Sequence, residues 1–385
     1  MNAKKKRHQL SKSDVIEQVP LACSDELTAI EFMENQRWGN TPACVHCGSV
    51  EVYKMVDSKT GQRNARFLWR CRDCGKQYTV RIGTVYEESR IELHHWCYAF
   101  WRAATSKKGV AALEIMRNCQ ISYKSALFMM NRIRFAMAPE PNQPKLNGTV
   151  EVDEMYVGGK PRHKFVSKRG RGTFKTPVFA AVERGGKIRR RIVPNVTGET
   201  LKQAIRDEVN TQARIVTDEL SVYAGIGAEY EGGHHKVTHS TREYVRGDIH
   251  TNTVESSFAL VKRGIMGVYH NVSKDYLHRY LWQFDFIWNN RELNDGERTT
   301  RLIRVTEGKR LMYKAPAVKW GSLLCWREDF MNPIYLEYIK IGLLVYALGL
   351  LSENLRYTKM LWKKLFDIHI VIVRKDDPKK YGGDG

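Results

Sequence analysis

Residues 149–160 read TVEVDEMYVGGK. Val150, Val152, Met155 and Val157 make the stretch β-prone, and Gly158 and Gly159 end it. Asp153 and Glu154 stand where a strand with apolar neighbours normally avoids charge. An acid inside a buried strand is costly unless it meets a cation or a metal ion. Side chains alternate across a strand, so Glu154 is expected on the face opposite Asp153 and not as a ligand. Two further acids, Asp218 and Glu255, sit in equally informative surroundings downstream, and the three together read as a metal-binding carboxylate cluster.

Outward from that strand, residues 160–172, KPRHKFVSKRGRG, hold six basic residues and no acid. They are Lys160, Arg162, Lys164, Lys168, Arg169 and Arg171, and a basic loop leaving the Asp153 strand is expected to meet DNA phosphates. TPVFAAVER (176–184) and KIRRRIVPNV (187–196) read as a hairpin joined at Gly185 and Gly186. ETLKQAIRDEVN reads as a helix, and ARIVTDE as a strand with Asp218 near its end. After a Gly/His-rich loop at 232–235 come KVTHS as a strand, a helix over 253–264 and a long aromatic helix over 274–292. Three strands, helix, strand, helix, strand, helix is the order of a ribonuclease-H-like mixed sheet. It predicts an α/β (α+β) catalytic domain over 149–314 whose three acids converge at one sheet edge.

Cleavage and transfer of a phosphodiester ask for two Mg2+ or Mn2+ ions about 4 Å apart, one at the attacking oxygen and one at the leaving oxygen. Such hard ions take oxygen ligands, which is why carboxylates suit them better than His or Cys. Asp153 is expected to bridge both ions, with Asp218 and Glu255 each completing one. Lys262 follows Glu255 by seven residues, two helical turns on the same face, where it can meet a phosphate. Any one of these acids alone would read as a surface residue or a helix cap. The aromatic positions of 276–288 read as core packing, not base stacking, because they lie in a helical segment.

Upstream, residues 139–148 open with PEPNQP and read as a stiff linker. Before them, helices are expected near 91–104, 109–118 and 122–136, with Ser122 capping the third. Lys124, Arg132 and Arg134 make that third helix basic, which fits a helix-turn-helix that reads DNA, although any three-helix bundle has the same pattern. Cys44-Val-His-Cys47-Gly48 and Cys71-Arg-Asp-Cys74-Gly75 are two zinc knuckles over 41–90. Four thiolates complete a tetrahedron, so the zinc is structural and His46 is left on the surface. Residues 24–38 begin with a Ser/Asp cap and read as a helix, behind a basic tail within 1–40.

The totals agree. Lys+Arg number 63 against 42 Asp+Glu, a net charge of +21, which favours polyanions. Hydrophobic residues at 42% exclude a disordered chain. Eight cysteines without an export signal suit a reducing cytoplasm and metal ligation over a disulfide framework. The apolar run at 341–351 is too short for a membrane span.

CVHCG…CRDCG, VDEMYVGGK, VTDELSVY and HTNTVESSFALVKRGIMGVYHNVSKDYLHRYLWQFDFIWNNR together resemble the bacterial insertion-sequence transposases that join a zinc ribbon to a DDE domain. The resemblance spans about 24–314 and leaves 315–385 unplaced. It implies cutting at the element's inverted-repeat ends and joining of the freed 3′-hydroxyls to target DNA. It also implies catalysis on Asp153, Asp218 and Glu255 with Lys262 as the basic residue after the Glu, and Asn252 as a reserve third ligand. A homo-oligomer on DNA, dimer or higher, is the expected assembly, in a bacterial cytoplasm at the nucleoid and without a membrane. The alternatives are a metal-dependent nuclease without strand transfer, or a non-catalytic DNA-binding regulator derived from such an element.

Overall fold

The computed structural model describes residues 14–158, 175–238 and 245–312. Two helices open it, α1 (Asp14–Ala22) and α2 (Glu26–Trp38). Asp25 caps α2 by accepting from the Thr28 amide at 2.8 Å, an arrangement worth about 1 kcal/mol. The preceding α1, between the basic tail and the helix expected at 24–38, was not foreseen. Its Val19 and Ala22 are buried against the helical core, so packing overrides the Pro20 inside it.

Strands β1 (Val52–Lys54), β2 (Trp69–Cys71) and β3 (Gln77–Tyr78) form a small antiparallel sheet. Helices α3 (Leu93–Thr105), α4 (Ala112–Cys119) and α5 (Tyr123–Ala136) follow, close to their expected places. Ser122 caps α5 through the Ser125 amide, as its position predicts.

A five-stranded mixed sheet forms the second half, in the order β6-β5-β4-β7-β8. Its strands are β4 (Thr149–Val157), β5 (Thr176–Glu183), β6 (Ile188–Ile192), β7 (Arg214–Thr217) and β8 (His234–Lys236). The central β4 pairs antiparallel with β5 and parallel with β7. Between β6 and β7 runs α6 (Gly198–Glu208), and after β8 come α7 (Asn252–Gly264), α8 (Leu277–Asn289) and α9 (Asp295–Arg304). This is the mixed α+β plan of a ribonuclease-H-like domain.

Alternation along β4 sorts its residues between two cores. Val150 and Val152 join Leu201, Ala204 and Ile205 of α6, while Met155 and Val157 join Val254, Phe258 and Val261 of α7. Strand β8 lies slightly earlier than the expected KVTHS strand. Gly232 makes the earlier start possible, because a Cβ there would come within 2.7 Å of the Arg214 backbone nitrogen. Helix α9 was not foreseen. Its Leu302 and Ile303 reach back into the core built by α1, α2, α3 and α5.

Candidate active site

The four cysteines close a compact centre. Cys44 and Cys74 bring their sulfurs to 3.7 Å, as do Cys47 and Cys71, and all four lie within 4.8 Å of one another. Ligands about 2.3 Å from a tetrahedral zinc are separated by about 3.8 Å, so this donor set fits that ion. Gly48 and Gly75 follow the knuckles at φ +77° and +67°, where a side chain would be strained. Trp69 and Tyr78 pack around the cysteines. A site filled by four thiolates leaves no position for substrate, and its chemistry is structural.

The carboxylates are organised differently. Strand register pairs Glu151 of β4 with Val216 of β7, each two residues before one of the acids, Asp153 and Asp218. There the strands part, since the pairing of β4 with β7 stops at Glu151. Thr217, fully buried at the end of β7, donates to the Asp218 carbonyl at 2.7 Å and meets His234 Nε2 at 2.8 Å. The Leu220 amide holds Asp218 Oδ1 at 3.1 Å. Glu255 lies in the first turn of α7, and Thr251 donates to its Oε1 at 2.9 Å.

Asp153 is the electrostatic focus. Burial raises its carboxyl well above the usual range, and the charges of Glu154, Asp218 and Glu255 push it further, while the Glu154 amide pulls the other way. Both distant acids are therefore close enough to act on it. Among the described residues no cation pairs with Asp153. Nor do the three acids close to within 4.8 Å of one another as the thiolates do. Glu154 turns to the α6 face, where Tyr223 donates to it at 2.7 Å.

Glu151 is the residue that sequence reasoning passed over. Fully buried, it accepts from the amides of Thr253 and Val254 at 2.8 and 3.0 Å, from the Thr253 hydroxyl at 2.8 Å and from Arg184 at 2.7 Å. His250 Nδ1 lies 3.3 Å away. Its position two residues before Asp153, on the same strand face, was the available signal.

The basic residues divide. Lys262 and Asn252 are exposed on α7, and Lys124 is exposed on α5. Arg132 and Arg134 correct the expectation of DNA contact, because both are buried. Arg132 donates to the Glu87 carbonyl at 2.9 Å and lies over Phe128. Arg134 donates to Gln283 at 3.0 Å and sits 4.1 Å from the Tyr280 ring centroid, holding α5 to α8. Lys160, Arg162, Lys164, Lys168, Arg169 and Arg171 lie outside the described residues.

Glu92, His94 and His95 also bring ligand atoms within 4.8 Å of one another. There Glu26 holds the His94 amide at 3.0 Å and its ring nitrogen at 3.2 Å, so the group is accounted for as a cap on α3. No helix among the described residues is long and apolar enough to cross a membrane.

Residues 24–77 match the transposase zinc-ribbon domain, and residues 145–289 match the ISXO2-like transposase domain. The first segment holds all four cysteines, and the second holds Glu151, Asp153, Asp218, Glu255 and Lys262. The chain is also 29% identical over 272 residues to the uncharacterized protein in transposable element ISH50 of Halobacterium salinarum, covering 67% of this chain and 89% of that protein.

Proposed function

We propose that this chain, which belongs to the insertion-sequence transposases that join a zinc ribbon to a DDE-type domain, binds its element's inverted-repeat ends, cleaves there and joins the freed 3′-hydroxyls to target DNA. The observation that carries this reading is Asp153. It is a half-buried acid within the field of three others, Glu154, Asp218 and Glu255, with no cation paired to it among the described residues. Such a carboxyl is relieved either by a proton or by a bound cation.

The oxygen donors of Asp153, Asp218 and Glu255 would hold hard divalent ions such as Mg2+ or Mn2+. Bound there, two such ions activate the attacking water or hydroxyl and offset the charge on the leaving oxygen. The protein's part is orientation. The Leu220 amide fixes Asp218, and the Thr251 hydroxyl fixes Glu255. Lys262, two turns beyond Glu255, is placed for a DNA phosphate. The loop cations Lys160, Arg162, Lys164, Lys168, Arg169 and Arg171, together with Lys124, supply further phosphate contacts. The ribbon and helical segment hold the end, and the protein acts as a dimer or larger assembly at the nucleoid.

Pre-cut oligonucleotide ends, a plasmid target and Mg2+ test the reading. Joined product is expected, and Asp153→Asn should abolish joining while end binding persists. Cleavage without joining would make the protein a nuclease, and a mobility shift without either would make it a DNA-binding regulator. Joining that survives Asp153→Asn would overturn the catalytic assignment.

A further inference from the structure

We propose that Glu151 is a positioning residue for Glu255, setting the helix that carries one metal ligand against the strand that carries another. This rests on the proposed carboxylate metal site.

The start of α7 has an unusual division of labour. Thr251 occupies its N-cap position but makes no side-chain capping bond. Its hydroxyl donates instead to Glu255 Oε1 at 2.9 Å. The amides of the first turn still need an acceptor, because a helix N-terminus leaves them without a partner in the helix. Glu151 supplies it from another element, with Oε2 accepting from the amides of both Thr253 and Val254. Its other oxygen is held by Arg184 at 2.7 Å and by the Thr253 hydroxyl at 2.8 Å. Arg184 also donates to the Asp248 carbonyl and, at 2.9 Å, to the His250 carbonyl, so the chain leading into α7 is fixed by the same pair.

The consequence is geometric. Asp153 and Glu151 lie on one face of β4, two residues apart. A cap delivered by Glu151 therefore ties the first turn of α7, and with it Glu255, to the strand position of Asp153. Because the capping duty has moved to Glu151, the Thr251 hydroxyl is available to orient the Glu255 carboxylate. A carboxylate that is fully buried, matched to a helix N-terminus and to an arginine, is a fixed pivot; it is not itself open to a metal ion.

The test measures Mn2+ affinity by electron paramagnetic resonance. It uses zinc-loaded full-length protein on a DNA end that lacks its 3′-hydroxyl, so that nothing turns over. The set is the unaltered protein, Glu151→Gln, Thr251→Val, Thr251→Ser and Asp153→Asn. Loss of a group that orients a ligand typically weakens metal binding about 10- to 100-fold. Glu151→Gln is expected to fall in that range and Thr251→Val near its lower end. Thr251→Ser, which keeps the hydroxyl, should restore the unaltered value, and DNA-end affinity should stay constant throughout. A purely structural role for the pair would not separate Val from Ser at 251. If Glu151→Gln does not fold, the Thr251 pair carries the test. Unchanged Mn2+ binding in Thr251→Val and in any folded Glu151→Gln, with binding lost in Asp153→Asn, would overturn this inference and leave the metal site standing. Unchanged binding in Asp153→Asn would overturn both.

Discussion

The chain carries two candidate metal centres, and they are built on opposite principles. The cysteine centre takes its ligands from two short knuckles and has them gathered, sulfur against sulfur at 3.7 Å. The carboxylate centre takes Asp153 from the middle of β4, Asp218 from just beyond β7 and Glu255 from the first turn of α7, and does not gather them as closely. Thiolates around one zinc close a shell and stabilise a fold. Acids around an open space leave room for water, a hydroxyl and a phosphate. The first arrangement is local and complete, while the second draws its acids from distant parts of the chain.

The largest effect should come from breaking the closed centre. Structural zinc contributes on the order of 10 kcal/mol or more to small zinc domains. Cys71→Ser or zinc removal is therefore expected to unfold β1, β2 and β3 while the five-stranded sheet persists. Far-UV circular dichroism, together with amide exchange resolved by segment, would show this. Loss of exchange protection across both sheets at once would break the proposed independence of the two centres.

A smaller effect separates paired acids from unpaired ones. Asp285 of α8 is half-buried and paired with Arg190, which is itself 6% exposed. Burial raises its carboxyl to about 6 even though Arg190 opposes the shift. Asp285→Asn leaves that guanidinium inside without its counter-charge and should cost about 3–5 kcal/mol in urea unfolding. Asp153 predicts the reverse sign. In zinc-loaded protein without Mg2+ or Mn2+, Asp153→Asn removes a crowded negative charge and should raise stability by about 1–2 kcal/mol. The same variant should lose the stabilisation that added Mn2+ gives the unaltered protein.

The smallest effect concerns pH. Burial, then Lys236 and His235, lowers the His234 imidazole to about 4. Unfolded chain takes up the proton near 6.5, whereas the folded protein resists until about 4. Stability is thus complete above 6.5 and declines as pH falls toward 4, by about 1–2 kcal/mol after allowance for partial exposure. His234→Gln should flatten that part of the pH profile in thermal melts, and an unchanged slope would remove His234 from the account.

What the sequence made legible follows the same division. The cysteine centre was readable from spacing alone, because Cys-x-x-Cys-Gly carries its geometry within five residues. The strand of Asp153 was readable from its composition, and α5 from its cap and periodicity. Glu151 was not, because its meaning lies in Thr253, Val254 and Arg184, all distant in sequence. Arg132 and Arg134 look like a DNA-facing stripe until the neighbouring α8 supplies Gln283 and Tyr280 as internal partners for Arg134. Helix α9 hid behind a polar composition in which Arg298, Thr299 and Thr300 are buried. Its capping box, Asn294 with Glu297, was a signal within reach.

Anomalous diffraction at the manganese edge, from zinc-loaded crystals grown with Mn2+, tests the open centre most directly. The expected result is manganese bound between Asp153, Asp218 and Glu255, apart from the zinc at Cys44, Cys47, Cys71 and Cys74. Manganese absent from those three carboxylates at saturating concentration, with a DNA end in place, would contradict the account.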